Sequence, residues 1–382
     1  MRIGFDAKRL FNNFTGLGNY SRFVVNALID HAAQHQYLLY TPRRKDHPDT
    51  FYITEHGQVS VHTPPLLYTL TGTSSLWRTW GLSKDASVKT LSVFHGLSQE
   101  LPHQLPSGIR KLVTIHDLIF MRFPKLYSSI DASIYRAKMS HACKVADEII
   151  AISQQTAEDL MSYLDVPASR IKVIYQGCHQ QFRKILSPEA LHYSRKKYGL
   201  PGEYMLNVGT VEERKNIILA IKAMALLPET ARLPLVIVGR ETAYKHEVVN
   251  VAAKLNLSPL LIFIHGVPFD DLPGLYQGAL VFLYPSIFEG FGIPVVEALE
   301  SGVPVITSTG SCFREAGGPG SIYVEPTRED ELAFQISRVI GDQSLRQQMI
   351  AQGKEFVTRF APAMIAKELL ELYEMQRVKS EW

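Results

Sequence analysis

Two glutamates, Glu289 and Glu297, frame a glycine-rich turn in the second half of the chain. The segment reads EGFGIPVVE and follows the apolar run 280–283. Glycines let a backbone approach a ligand closely, and a proline such as Pro294 suits the first turn of a helix. The N–H groups of residues 290–293 are therefore expected at a helix N-terminus, which attracts phosphate. Because phosphate repels carboxylates, we expect both glutamates to accept hydrogen bonds from ligand hydroxyl groups. The alternative is an ordinary strand–turn–helix connection with capping carboxylates.

Two adjacent cations, Arg214 and Lys215, follow another apolar run, at 204–208. Arginine presents a planar fork of donors and lysine a point charge, and together they suit a pyrophosphate. The alternative is a solvated loop in which Glu212 or Glu213 pairs with Arg214. Under either interpretation we expect both cations on an exposed loop at the end of a strand.

A third segment, Gly16-Leu17-Gly18, comes after the first apolar run and opens an apolar helical pattern. It matches half of the dinucleotide fingerprint G-x-G-x-x-G, but Ser21 replaces the third glycine. The run 36–41 also lacks the acidic residue expected about 20 residues later. A nicotinamide cofactor is therefore not indicated. A tight turn between strand and helix is the alternative to a phosphate-binding loop.

His116 ends the apolar run 111–115 and is followed by Asp117. In open α/β sheets, ligands bind beyond the carboxyl ends of the strands. We expect His116 to donate a hydrogen bond to a ligand hydroxyl, while Asp117 orients it or caps the next segment. A similar strand-end histidine, His95, is interpreted as structural.

Short apolar runs alternate with helical patterns along almost the whole chain, which predicts parallel sheets covered by helices on both faces. The rhythm breaks between residues 178 and 202, where the sequence has a charged stretch and a Pro-Gly pair but no strand. We therefore predict an α/β protein of two doubly wound, Rossmann-like domains that face each other across a cleft. Residues 1–180 form the first domain and residues 181–362 the second. A final helix at 363–382 can pack back on the first domain.

The composition limits the classes of function. The chain has 382 residues, of which 46% are hydrophobic and 20% charged, as in ordinary globular proteins. A formal net charge of +3 does not indicate a nucleic-acid partner. Its three cysteines are widely spaced without a C-x-x-C pattern, so neither a zinc site nor a disulfide framework is predicted. The N-terminus lacks the apolar stretch of a signal peptide, and the uncharged stretch 56–77 contains two prolines. We expect a cytoplasmic protein without a membrane-spanning segment.

Taken in order, these segments resemble the retaining glycosyltransferases of family four (glycosyl transferases group 1), which have the GT-B fold. The resemblance covers essentially the whole chain and is densest from Val208 to Glu315, where it includes the E-x(7)-E pattern of Glu289 and Glu297. The first half resembles the acceptor domain of the same family through residues 15–20 and 114–118. The two halves together look closest to the subgroup often described as mannosyltransferases.

The resemblance implies a role for each residue that matches the family pattern. Arg214 and Lys215 match the cations that hold the donor diphosphate, and Glu297 matches the carboxylate that binds the ribose hydroxyls. Glu289 and His116 match residues that contact the transferred sugar, His116 near its 6-position. Gly290, Phe291 and Gly292 match the backbone N–H groups that assist Glu289. Gly16, Leu17 and Gly18 match a loop that lies against the diphosphate. Val267 matches a residue near the base.

The implied reaction is transfer of a hexose, with retention of configuration, from a nucleotide-diphosphate sugar to a glycan or lipid-linked glycan in surface polysaccharide synthesis. GDP-mannose is the first candidate donor on the subgroup resemblance alone, and UDP-glucose, UDP-galactose and N-acetylated sugars stay open. Two cations and a helix N-terminus can stabilise a leaving diphosphate, and no D-x-D cluster occurs, so we expect no cofactor and no metal. A sugar-nucleotide epimerase of the same fold and a non-catalytic sugar-binding module are the alternative functions.

An excess of basic residues over 110–138 suggests a peripheral contact with anionic membrane. Each basic residue near an anionic surface contributes about 1 kcal/mol. Phe120, Phe123 and Tyr127 are expected to interleave with these cations at the surface. The alternative is a solvated basic face whose aromatic residues lie in the core.

Overall fold

The computed structural model describes residues 1–375 of the chain. It forms two compact units, the first made of Met1–Gly177 together with the described residues from Phe360 to Met375, and the second of Cys178–Arg359. Residues 376–382, at the end of the helix predicted over 363–382, lie outside the described part. Each unit contains one parallel sheet.

The first unit is built on a sheet of seven parallel strands. The strands are β1 (Arg2–Asp6), β2 (Gln36–Tyr40), β3 (Val59–His62), β4 (Val93–Gly96), β5 (Arg110–Ile115), β6 (Glu148–Ala151) and β7 (Ile171–Val173). Their order across the sheet is β3-β2-β1-β4-β5-β6-β7. The central strands are apolar and almost fully buried, as a sheet covered on both faces requires. The order reverses between β1 and β4, and ligands bind at such a reversal in open α/β sheets.

Helices flank this sheet. They are α1 (Lys8–Asn12), α2 (Gly16–His31), α3 (Pro48–Thr54), α4 (Leu66–Leu70), α5 (Ser74–Leu76), α6 (Ile119–Arg122), α7 (Ser129–Val145) and α8 (Gln154–Leu164). Helices α7 and α8 start at serine caps, because Ser128 accepts a hydrogen bond from Asp131 N (3.1 Å) and Ser153 accepts one from Thr156 N (3.0 Å). Local sequence therefore determines where α7 and α8 begin.

The second unit repeats the design with six parallel strands. They are β8 (Met205–Val208), β9 (Leu235–Val238), β10 (Leu261–Ile264), β11 (Val281–Tyr284), β12 (Val305–Ser308) and β13 (Ile322–Val324). Their order is β10-β9-β8-β11-β12-β13, so the reversal falls between β8 and β11. The predicted α/β class with two doubly wound parallel sheets is confirmed.

The helices of the second unit cover both faces of its sheet. They are α9 (Pro188–Lys197), α10 (Ile217–Leu226), α11 (Tyr244–Lys254), α12 (Leu272–Gln277), α13 (Ile293–Glu300), α14 (Phe313–Gly317), α15 (Glu329–Gly341) and α16 (Gln343–Val357). Helix α9 lies in the stretch 178–202, where the sequence suggested only a break. It packs against α12 and therefore belongs to the second unit.

The final helix, α17 (Pro362–Glu374), belongs to the first unit and packs along α2. Its Tyr373 hydroxyl lies 2.7 Å from Nδ1 of His95, and Nε2 of the same ring lies 2.8 Å from the Thr114 hydroxyl. The Tyr20 hydroxyl lies 3.0 Å from that threonine oxygen. Because all four side chains are buried, their hydrogen bonds tie α17 and α2 to strands β4 and β5.

Candidate active site

Two loops meet at the strand-order reversal of the second sheet. One follows β8 and carries Arg214 and Lys215, and the other follows β11 and carries Glu289. Since β8 and β11 are adjacent, these loops flank the place where open α/β sheets bind ligands. The two backbones are also joined, because Ile287 N–H donates a hydrogen bond to the Arg214 carbonyl oxygen at 2.8 Å.

The carboxylate of Glu289 gathers four polar side chains. Its Oε1 lies 2.6 Å from Lys215 Nζ and accepts hydrogen bonds from the hydroxyls of Ser286 (2.6 Å) and Tyr284 (3.0 Å). Its Oε2 lies 2.8 Å from Arg214 Nη1. Three donors saturate Oε1, whereas Oε2 keeps the capacity to accept a further hydrogen bond.

The charged side chains of this cluster shift one another's pKa values. Burial alone would raise the pKa of Glu289, but the positive charges of Lys215 and Arg214 outweigh burial and lower that pKa to about 2. Burial would likewise lower the pKa of Arg214, and Glu289 raises it above its ordinary value instead. Arg214 Nη2 has a second acidic partner, Glu212, at 2.6 Å. Glu289 and Arg214 are therefore both ionised near neutral pH.

The expectation that Arg214 and Lys215 lie on an exposed loop is wrong. Their side chains are only 14% and 11% exposed. The short turn Glu213–Lys215 directs both side chains toward the loop after β11, where Glu289 compensates their burial. The pairing of Arg214 with Glu212, considered above as the alternative, occurs together with the pairing to Glu289.

The loop after β12 fixes the backbone of Glu289. The Ser311 hydroxyl accepts a hydrogen bond from Glu289 N (3.2 Å) and donates one to Glu289 O (3.0 Å), and Cys312 Sγ donates to the same carbonyl (3.2 Å). Residues 290–292 then lead directly into α13. Gly292 takes a φ of 95°, a backbone conformation that favours glycine, immediately before the first helical residue.

Glu297 lies in the second turn of α13, on its buried side. The Tyr276 hydroxyl donates a hydrogen bond to Oε2 of Glu297 at 2.8 Å. Burial raises the pKa of Glu297 to about 7, and the bond from Tyr276 offsets only part of that effect. Glu297 is thus partly protonated near neutral pH, whereas Glu289 is fully ionised, although the sequence pattern treats the two glutamates alike.

Val267 lies apart from the Glu289 cluster. It follows β10, the edge strand of the second sheet, and β9 separates that strand from β8. Its side chain is half-buried. The structure therefore places Val267 at the edge of the same sheet that carries the cluster.

Gly16, Leu17 and Gly18 form the first turn of α2. The Asn13 side chain already caps this turn, since its Oδ1 accepts hydrogen bonds from Thr15 N (2.9 Å) and Gly18 N (3.2 Å). A β-carbon at Gly18 would lie 1.7 Å from the Asn13 carbonyl oxygen, whereas a β-carbon at Gly16 would meet nothing within 4 Å. Close packing therefore explains why residue 18 is a glycine, but it does not explain why residue 16 is one.

His116 follows β5 and is buried. Its Nε2 lies 2.9 Å from the carbonyl oxygen of Leu97, which only accepts hydrogen bonds, so Nε2 carries the proton. Burial lowers the pKa of His116 to about 4, and the ring is neutral at pH 7. Its remaining nitrogen, Nδ1, is an acceptor, which corrects the expectation that His116 donates to a ligand hydroxyl. Asp117 caps α6 by accepting a hydrogen bond from Ile119 N at 3.1 Å.

Three side chains around the two glutamates were not predicted from the sequence. Tyr284 and Ser286 bind Glu289, and they directly precede its turn, so their position at a strand's carboxyl end was a usable signal. Tyr276 comes from α12, and no spacing in the sequence connects it with Glu297.

The basic stretch 110–138 is less exposed than the sequence suggested. Arg110 and Arg122 both pair with acidic side chains, and Arg110 is buried. Phe120, expected at the surface, lies in the hydrophobic core. Within residues 1–375, none of the helices combines the length and the apolar character needed to cross a bilayer.

Two family models match the chain, one in each half. Residues 14–181 match the model described as Glycosyltransferase Family 4, and residues 194–356 match the model described as Glycosyl transferases group 1. The second match carries Arg214, Lys215, Glu289 and Glu297.

Similar proteins include mannosyltransferases of O-antigen synthesis. The chain is 29% identical over 287 residues to O-antigen chain mannosyltransferase B of Escherichia coli, a match that covers 74% of both proteins. It is 27% identical to O-antigen chain mannosyltransferase RfbU of Salmonella typhimurium, covering 86% of this chain and 87% of that protein. A third relative, the serotype-specific mannosyltransferase WbdA of Escherichia coli, is 30% identical, but the match spans only 35% of its length.

Solved structures show the same fold. The crystal structure of Anabaena HepE in complex with UDP-glucose superimposes with a TM-score of 0.73 and covers 97% of this chain and 99% of that one. The sequences are 19% identical, so this likeness concerns the fold alone.

Proposed function

This chain belongs to the GT-B glycosyltransferases of the family 4 type, and on that basis we propose that it transfers a hexose from a nucleotide-diphosphate sugar to a glycan or lipid-linked glycan in surface polysaccharide synthesis. The observation that carries the proposal is the buried cluster of Arg214, Lys215 and Glu289 at the strand-order reversal of the second sheet. GDP-mannose is the first candidate donor, supported by the mannosyltransferases among the relatives.

Arg214 and Lys215 hold the donor diphosphate in this proposal. Breaking the bond between the anomeric carbon and the phosphate oxygen builds negative charge on the leaving group, and fixed cations stabilise it. Glu289 compensates only one of the two positive charges. Glu212, the second acidic partner of Arg214, has a side chain that is 36% exposed, so a diphosphate can replace it without burying a new charge in isolation.

In this proposal the hydroxyl groups of the donor bind to side-chain atoms that can accept a further hydrogen bond. Oε2 of Glu289 accepts from the transferred sugar, with the backbone of residues 290–292 beside it, and Glu297 accepts from the ribose. His116 accepts from a sugar hydroxyl through Nδ1. Val267, at the edge of the sheet, is assigned to the base.

We propose that the anomeric configuration of the donor is retained. An inverting reaction needs a general base opposite the leaving group, and a useful base has a pKa near the working pH. His116 is a weak base with a pKa of about 4, and Asp117 is engaged in capping α6. The acceptor hydroxyl instead approaches beside the leaving phosphate, whose oxygen takes the proton. Arg214, Lys215 and the N-terminus of α13 supply the stabilising charge, so the proposal includes no metal.

The proposed location is the cytoplasmic face of a membrane, with peripheral contact to anionic lipid. Lys125 and Arg136 remain exposed in the basic stretch. Leu126 and Ile130 lie close to them in sequence and are 43% and 71% exposed. Exposed apolar side chains beside cations suit a charged lipid surface.

Nucleoside-diphosphate release tests the proposal. The protein is incubated with GDP-mannose, UDP-glucose or UDP-galactose, with and without a glycan acceptor. A glycosyltransferase releases nucleoside diphosphate in an acceptor-dependent manner and forms a new glycoside. An epimerase would change the sugar without a glycoside, and a binding module would do neither. Proton NMR of the first product gives its anomeric configuration, and an inverted product would overturn the proposed retention.

A further inference from the structure

The two oxygens of the Glu297 carboxylate have different surroundings. Oε2 accepts a hydrogen bond of 2.8 Å from the Tyr276 hydroxyl. Oε1 has no hydrogen-bond partner within residues 1–375, and it is not sealed from solvent as the buried unpaired atoms of that region are. The residue as a whole is only 7% exposed. Glu297 thus presents one accessible oxygen from an otherwise buried carboxylate.

Packing fixes Tyr276 behind this carboxylate. The residue lies on α12, which packs against α13, and it is completely buried. Its ring contacts Phe282 and Phe182, whose centroids are 5.3 and 5.6 Å away. In the described part of the chain, its hydroxyl has no hydrogen-bond partner other than Glu297. Burial and the charge of Glu297 raise the pKa of Tyr276 well above its ordinary value, so the hydroxyl keeps its proton and is the donor.

The hydrogen bond from Tyr276 has two effects on Glu297. It fixes the rotation of the carboxylate, because Oε2 must stay within reach of a hydroxyl that packing holds in place. It also favours the ionised form, since a donor stabilises a carboxylate more than a carboxylic acid. Burial raises the pKa of Glu297 to about 7, and the bond from Tyr276 acts against burial. Without this bond, a larger fraction of Glu297 would be protonated at neutral pH.

Among the described residues, no charged neighbour takes the place of Tyr276. Glu300, three residues further along α13, pairs with Arg183, and burial raises the pKa of the Cys178 thiol well above its ordinary value, so that thiol is neutral. Other titratable side chains on the elements that pack against α13 are Tyr284 on β11, Arg314 and Glu315 on α14, and Lys354 on α16. The pKa of Glu297 is nevertheless set by burial and by Tyr276.

We propose that Tyr276 is a positioning residue for ribose recognition, whose hydroxyl holds Oε2 of Glu297 so that the ionised carboxylate presents Oε1 to the ribose hydroxyls of the donor. Tyr276 itself does not touch the donor. This role deepens the proposed function and rests on it, because it assumes that Glu297 binds the ribose of a nucleotide-diphosphate sugar.

The test combines two variants with nucleotides that lack the ribose hydroxyls. GDP, UDP and their 2′,3′-dideoxy forms are titrated into the full chain by calorimetry at pH 7 and pH 8.5. Tyr276→Phe keeps the ring and removes only the hydroxyl. Tyr204→Phe is the matched control, since Tyr204 is also buried and donates a 2.7 Å hydrogen bond to the Leu275 carbonyl of the same α12, but does not bond Glu297.

Tyr276→Phe should bind the ribose-containing diphosphate roughly tenfold more weakly than the parent at pH 7, because less of Glu297 is ionised and its carboxylate is no longer held. This loss should shrink at pH 8.5, where Glu297 ionises again. Comparing the proteins at the same pH cancels the ionisation of the phosphate itself. The dideoxy diphosphate should bind the parent and Tyr276→Phe alike, since it has no hydroxyls for Glu297 to accept from. Tyr204→Phe should follow the parent in every comparison.

The outcomes separate this inference from the proposed function. If Tyr276→Phe binds GDP or UDP like the parent, the positioning role is refuted. A loss of equal size for the dideoxy form, or at both pH values, would show that the hydroxyl only supports the fold, and it would refute the role as well. In each of these cases the parent still binds a nucleoside diphosphate and the proposed transferase stands. If the parent binds neither GDP nor UDP, the proposed function fails and the positioning role fails with it.

Discussion

Lys215 and Glu289 form a buried ion pair, with Nζ 2.6 Å from Oε1, that joins the loop after β8 to the loop after β11. The two residues lie on either side of the strand-order reversal in the second sheet. The group proposed to attract the donor diphosphate therefore also holds two loops together. Substitutions in this pair should affect both the free energy of unfolding and turnover.

Glu289→Gln should lower the free energy of unfolding by about 3–5 kcal/mol at pH 7, because it leaves a buried lysine without its counter-charge. The folded-state pKa of Glu289 is depressed to about 2 from 4.5. Its contribution is therefore present above pH 4.5 and is lost as pH falls toward 2, so the difference between parent and variant should narrow over that range. Urea unfolding at pH 7 and pH 3.5 measures this. Glu229→Gln, whose side chain is 90% exposed, is the control and should change little. A constant difference at both pH values would contradict the ion pair.

Arg214→Ala and Lys215→Ala should each reduce turnover by roughly 10²–10³, the usual effect of removing one group that stabilises developing charge. The measurement is nucleoside-diphosphate release at saturating donor. Lys222→Ala provides the control, since Lys222 is an exposed cation on the neighbouring α10. Full activity in both variants would refute the diphosphate role.

Glu297 should make nucleoside-diphosphate binding pH-dependent. A carboxylate accepts hydrogen bonds from ribose hydroxyls best when ionised, so affinity should rise as pH passes through about 7, the raised pKa of Glu297. Stability should change in the opposite sense, because a raised folded-state pKa favours folding at low pH and that gain is lost from about pH 4.5 to 7. The phosphate ionises in the same range, so calorimetry must compare the parent with Glu297→Gln. Identical pH profiles for the two proteins would remove the ribose role.

Gly18→Ala and Gly16→Ala form a matched pair at the start of α2. The first places a β-carbon 1.7 Å from the Asn13 carbonyl oxygen and should lower the melting temperature. The second meets no atom within 4 Å and should leave the fold intact. If the loop lies against the diphosphate, Gly16→Ala should raise the KM for the donor at unchanged melting temperature. An unchanged KM would leave Gly16 without a functional role.

Peripheral membrane contact should depend on anionic lipid and salt. Replacing both Lys125 and Arg136 by Gln should reduce co-sedimentation with phosphatidylglycerol vesicles. The expected loss of membrane-binding free energy is about 1 kcal/mol per residue. Lys222→Gln serves as the control, because Lys222 is an exposed cation of the second unit. Binding that ignores lipid charge and salt would end this proposal.

The strands could be predicted because buried parallel strands are continuous apolar runs, as 204–208 and 111–115 illustrate. The contact of Lys215 with Glu289 could not, since it depends on β8 and β11 becoming neighbours although strands β9 and β10 separate them in sequence. The candidate donor site was predicted as a set of residue types, whereas the pairing of their opposite charges follows only from the packing of the two loops.

Burial explains the other differences between sequence and structure. The sequence gives Glu289 and Glu297 the same side chain, but neighbouring cations lower the pKa of one and burial raises the pKa of the other. His116 changes from an expected donor to an acceptor because the Leu97 carbonyl occupies its protonated nitrogen. Such effects depend on groups distant in sequence, which local patterns do not contain.

Helix α17 has a consequence for biosynthesis. During translation the first unit emerges early, yet the helix that packs along its α2 is made only after all of Cys178–Arg359. Until then His95, the partner of Tyr373, and Thr114, which bonds the same histidine ring, are present without the tyrosine that completes their hydrogen-bond network. A nascent chain must therefore keep the apolar flank of α2 from aggregating while the intervening unit is synthesised. A ribosome-stalled chain ending near residue 359 should bind chaperones more strongly than one that extends past residue 375.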